Sequence, residues 1–152
     1  MKIDYSEQML TWEWDSNEIK IELPEIIHAE YHKDENMVMV YSGENFINKI
    51  IFYFSLEGKL LGQQNLLEGT LDWNHNGKHQ VIFQHLHHLR FSPKYQRIFS
   101  IFRSSNDFDV PSELEVYNLE GDKIDQIESP AGFTMLYISE ISKKKLRILC
   151  EA

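Results

Sequence analysis

Along this chain, short runs of β-branched and aromatic residues bounded by turn formers recur, while apolar positions at the spacing of a helix face are scarce. The clearest runs are Met37–Tyr41, Lys49–Phe54, Arg97–Phe102, Glu113–Tyr117 and Lys145–Leu149. Each predicts a strand. Several are apolar on both faces, as strands covered from two sides are. The pattern predicts an all-β chain.

The strands also repeat. Phe54-Ser55-Leu56-Glu57-Gly58-Lys59-Leu60 parallels Tyr117-Asn118-Leu119-Glu120-Gly121-Asp122-Lys123, in each case an aromatic-ended strand, a turn closed by glycine, and a following strand. Upstream, Tyr31-His32-Lys33-Asp34-Glu35-Asn36-Met37-Val38-Met39 parallels Phe91-Ser92-Pro93-Lys94-Tyr95-Gln96-Arg97-Ile98-Phe99. Together these give two antiparallel four-stranded units, at about 25–65 and 86–130. Ile141–Leu149 repeats the first hairpin, and Leu10–Ile21 resembles the second without its glycine. Residues 1–24 and 131–152 are therefore expected to complete a third unit by pairing the termini, with 66–88 as an irregular insert. All of this fits one domain spanning 1–152.

Four-stranded antiparallel units closed by their own termini resemble the blades of β-propeller proteins. No Trp-Asp dipeptide ends a unit, and three units are fewer than the roughly four to eight blades of that fold. The resemblance implies a propeller-like shape and no activity; a barrel or sandwich variant of the same hairpins is the alternative.

Composition narrows the partners. The chain has 152 residues, 42% hydrophobic and 12% aromatic, too many of both for a disordered chain. Residues 1–76 hold 14 acidic and 5 basic side chains and 77–152 hold 10 of each, so the whole formal charge of -9 lies in the first half. Such a balance argues against direct contact with nucleic acid and can steer a basic partner. The lone Cys150 excludes an internal disulfide and fits a reducing compartment. No apolar run approaches the roughly 18 residues of a membrane span, and the stretch Met1–Glu7 lacks the apolar core of a signal peptide. A soluble cytoplasmic protein with no membrane partner is expected.

Candidate chemistry is sparse. The segment 66–88 carries five of the seven histidines, and His85 and His87 would share a strand face, as a chelating pair does. No third ligand stands in a recognised register, so polar edge histidines are the expectation, with no metal and no cofactor. Asp72-Trp73-Asn74-His75-Asn76-Gly77 has the chemistry of a hairpin turn, which makes Asp72 and Trp73 candidates for an anchor at a loop tip, although a Trp beside a turn equally caps the core. Trp12 and Trp14 share a strand face, as a buried aromatic layer or, less in keeping with tryptophan burial, a sugar platform. No Gly-x-Ser-x-Gly elbow or phosphate-binding glycine loop is present, so no catalytic residue is assigned.

Acidic turns are the remaining signal: Asp34, Glu35 and Glu44 in the first unit, Asp107 and Asp109 in the second. These five, with Asp72 and Trp73, form the expected partner-binding set. In size, acidity and lack of catalytic motifs the chain loosely resembles bacterial toxin-immunity proteins. That resemblance implies a protein-binding inhibitor that blocks the active site of a basic toxin such as a nuclease. The competing class is a propeller-like sugar- or metal-binding protein or hydrolase.

Overall fold

A computed structural model describes residues 1–83, 86–102, 112–130, 132–141 and 146–151. The chain is all-β and antiparallel, as the hydrophobic pattern requires. Its strands are β1 (Asp4–Tyr5), β2 (Met9–Trp14), β3 (Asn17–Glu22), β4 (Ile26–His32), β5 (Met37–Glu44), β6 (Ile47–Ser55), β7 (Leu60–Asn65), β8 (Thr70–His75), β9 (Lys78–Phe83), β10 (Leu86–Ser92), β11 (Arg97–Phe102), β12 (Glu113–Asn118), β13 (Lys123–Glu128), β14 (Thr134–Ile141) and β15 (Leu146–Glu151). They fall into two compact units, Met1–Ile82 and Phe83–Ala152. Among the described residues no helix is long and apolar enough to cross a membrane.

In the first unit, β4 to β9 form a six-stranded sheet in sequence order and β1 to β3 a separate three-stranded sheet. Alternation builds the layer between them. Ala29, Val40 and Phe52 stand in register across β4, β5 and β6, as do Tyr31, Val38 and Phe54. That apolar face packs against Leu10 and Trp12 of β2, with Ile26 and Leu56 completing a buried cluster. Each fully buried aliphatic side chain there contributes roughly 1.5–3 kcal/mol. The Trp12 indole N–H donates to the Leu56 carbonyl at 2.8 Å, so the one polar atom of a buried ring is satisfied. The opposite face of the six-stranded sheet carries Met37, Tyr53, Leu71 and Trp73, all buried.

The second unit has β10 to β13 as a four-stranded sheet and β14–β15 as a hairpin. Phe99, Ile101, Leu114 and Val116 of the sheet pack against Met135 and Ile138 of the hairpin. Ser112 ties the two together: its carbonyl accepts the Ser129 N–H (2.8 Å), its own N–H donates to Ser129 Oγ (3.1 Å), and its Oγ accepts the Met135 N–H (2.8 Å).

The two turns singled out by sequence have the same build. Gly58 N–H donates to the Ser55 carbonyl and Ser55 N–H to that of Lys59; Gly121 and Asn118 make the same pair of bonds with Asn118 and Asp122. Gly58 and Gly121 sit at φ 91 and 89, a conformation that only glycine adopts without strain. Upstream, Asn36 and Gln96 occupy left-handed positions (φ 50 and 55) and bond back to Lys33 and Pro93.

Two expectations need correction. The terminal strands share no sheet among the described residues, since β1 to β3 form one sheet and β14–β15 another. At each end the chain pairs locally: Asp15 and Ser16, both at positive φ, turn β2 back into β3, and β14 pairs with β15. The segment 66–88 is regular over most of its length, because Asn76 and Gly77, at φ 51 and 77, close β8 and β9 into a hairpin that extends the large sheet.

Candidate protein-binding surface

The hairpin joining β5 to β6 is closed by Asn45 and Phe46 alone, with φ 51 and 62. Positive φ at both central residues is the geometry that matches strand twist, and it strongly favours glycine at the second position. Here a phenylalanine holds that position and is 93% exposed, with Ile47 beside it 64% exposed. A bulky residue in the left-handed region is strained, and a bare aromatic ring in water gains nothing from burial. Neither feature serves the fold.

The tip is fixed from below. A register shift at Ser42/Gly43 brings the chain so close that a Cβ on Gly43 would lie 1.8 Å from the Ile47 carbonyl oxygen. Gly43 N–H donates to the Glu25 carbonyl, and Ser42 Oγ–H to that of Pro24. Between this tip and the N-terminal segment runs an open groove of about 650 Å³, lined by Tyr5, Glu7, Glu25, Ile27, Glu44 and Phe46 among others. Its lining contains three glutamates and no basic residue. Lys49 Nζ lies 3.0 Å from Glu44 Oε2. The Glu7 and Glu25 carboxylates have no ion-pair or hydrogen-bond partner among the described residues.

Tyr5 continues the surface into a polar aromatic chain on β4 and β5. Tyr41 donates to Glu30 Oε1 (3.1 Å), His28 Nε2–H donates to Glu30 Oε2 (3.3 Å), and the other ring nitrogen of His28 meets the Tyr5 hydroxyl (3.3 Å). The carboxylate can only accept, so His28 turns an Nε2–H toward Glu30, while Nδ1 faces the Tyr5 hydroxyl. The Tyr5 and His28 rings meet edge to face at 5.9 Å. Burial, then the Glu30 charge and hydrogen bond, push the Tyr41 hydroxyl up to about 12. These contacts hold three rings and a carboxylate in one arrangement beside the groove, which suits recognition.

Among the described residues expected to bind a partner, only Glu44 belongs to this surface. Asp34 is exposed but lies in the 3-10 turn Lys33–Glu35 at the far end of β5, roughly 23 Å away at about 3.3 Å per residue. Glu35, 4% exposed, is a buried residue of that turn. Trp73 is corrected: it sits within β8 and is 1% exposed, because its side chain alternates onto the apolar face with Leu71. Asp72 alternates to the other face, where His79 of the next strand lies 3.3 Å from its carboxylate. Asp107 and Asp109, like His85, lie outside the described residues. Trp12 is buried while Trp14 is 41% exposed, so the two indoles make no sugar platform. Among the described residues no group of three or more His, Cys, Asp or Glu side chains is placed to hold a metal.

Two signals in the sequence could have found the surface. Phe46 follows Asn45 where a two-residue turn calls for glycine, and His28 and Glu30 share a strand face at a spacing of two. Compared with protein-family models, with curated proteins and with solved structures, the chain gives no match.

Proposed function

We propose that this chain is a protein-binding module that inhibits a basic protein, in the manner of an immunity protein blocking the active site of a toxin such as a nuclease. The observation that carries the reading is Phe46, an aromatic side chain held in water on a strained turn beside a groove lined with glutamates. Strain and exposure together cost stability, and such features persist where binding uses them. Aromatic anchors with a charged rim are the usual make-up of an interface centre. The net charge of -9, all of it contributed by residues 1–76, favours fast encounter with a basic partner.

The reading requires a gene for a basic toxin beside the gene for this chain. Expression of that toxin should arrest growth, and co-expression of this chain should restore it. The purified pair should associate more slowly as salt is raised, because exposed charges are screened beyond about 8–10 Å at physiological ionic strength. A neighbourhood of metabolic genes, or growth arrest that the chain does not relieve, overturns the reading.

A further inference from the structure

The shape and lining of the groove say what part of a partner it takes. Resting on the protein-binding reading, we infer that the groove between Tyr5 and the Phe46 tip receives an arginine side chain. Phe46 and Tyr5 offer two exposed aromatic rings, at 93% and 43% exposure. Ile26 and Ile27 form an apolar part of the lining, suited to an aliphatic stem. Glu7 and Glu25 bring charge without a cation, whereas Glu44 already has Lys49 at 3.0 Å.

A planar guanidinium can stack on an aromatic face while its edge donates to carboxylates, and it is more weakly hydrated than an ammonium group. Lysine could satisfy the charge but not the stacking. An apolar side chain could satisfy the rings but would leave two carboxylates partly desolvated and unpaired, which is costly. A volume of about 650 Å³ also accommodates the residues that flank such a side chain.

The test titrates the intact chain with three short peptides that differ only at one position, arginine, lysine or citrulline, and follows backbone amides by NMR. The arginine peptide should shift the amides of Tyr5–Glu7, Glu25–Ile27 and Gly43–Ile47. The lysine peptide should bind several-fold more weakly, and neutral citrulline should not bind. Phe46→Gly and Glu25→Gln should each weaken the arginine peptide about three- to tenfold. Equal shifts from arginine and lysine spread over the whole acidic surface would overturn the inference, as would silent groove amides at millimolar peptide.

The two proposals fail separately. A toxin complex whose affinity is unchanged by Phe46→Gly leaves the inhibitor reading standing and removes this site. Selective arginine binding with no basic protein partner does the reverse.

Discussion

The indole N–H of Trp12 and the carbonyl of Leu56, 2.8 Å apart and buried, are the hydrogen bond that joins the small sheet of the first unit to the β6–β7 turn of the large one. Trp12→Phe keeps most of the ring volume and leaves that carbonyl without its donor in a dry cluster. The variant should lose about 2 kcal/mol. Urea denaturation checks this: the midpoint should fall with an unchanged slope, and an unchanged midpoint would show that the bond does not hold the sheets together.

Phe46→Gly should raise stability while it weakens partner binding. Glycine takes the left-handed turn position without strain, so the fold should gain about 1 kcal/mol. The ring that anchors the partner is lost in the same step. A melting temperature that rises as affinity falls is the signature of a residue kept for binding; a fall in both would place Phe46 in the fold.

Gly43→Ala should do the opposite to the fold. Its Cβ would meet backbone, the Ile47 carbonyl oxygen at 1.8 Å, and backbone cannot swing aside as the end of a side chain can. The tip must shift, at a cost of about 1–3 kcal/mol. Amide shifts concentrated at residues 25–27 and 42–48, with a lower melting temperature, would agree; a silent substitution would not.

Alkaline pH gives a fourth check. The Tyr41 hydroxyl is raised to about 12 from an ordinary 10 by burial and by Glu30. The folded state therefore holds this proton more tightly than the unfolded chain. The resulting stability is fully present below about 10 and is lost as pH rises toward about 12. Tyr117 is shifted in the same direction by burial and by its hydrogen bond to Glu115. Tyr41 and Tyr117 should thus ionise late in an absorbance titration, and Tyr41→Phe should remove one late proton and flatten the alkaline fall in melting temperature. A titration in which all the tyrosines ionise together near 10 would contradict this.

The fold was readable where one physical signal set the outcome. Arg97–Phe102 coincides with β11, the runs at Lys49–Phe54, Glu113–Tyr117 and Lys145–Leu149 fall within two residues of β6, β12 and β15, and Met37–Tyr41 starts with β5 but ends three residues short of it. Glycine with a following polar residue marked both equivalent turns, because positive φ leaves little choice of residue there. The site was far less legible. The acidic-turn logic named Glu44, which ends β5 beside the Asn45-Phe46 turn, and equally picked Glu35, which is buried. Trp73 was misplaced because two residues before a turn is still strand, where alternation decides burial. Phe46 carried no compositional signal at all; it shows only as an aromatic where backbone geometry calls for glycine. The Tyr5–His28–Glu30–Tyr41 chain depends on β1 lying beside β4, a long-range placement that periodicity does not report.

The order of the strands has a further consequence, for the speed of folding. Each described ladder joins strands that are neighbours along the chain, so β4 to β9 and β10 to β13 can assemble hairpin by hairpin without first closing a long loop. All-β chains fold slowly when distant segments must find each other; in this one the local hairpins spare most of that search. What stays slow in the first unit is the arrival of the small sheet on the large one, since Trp12 and Leu56 stand 44 residues apart. That docking step is then the last to form and the first to open, and it leaves β5, β6 and the groove floor they carry already built.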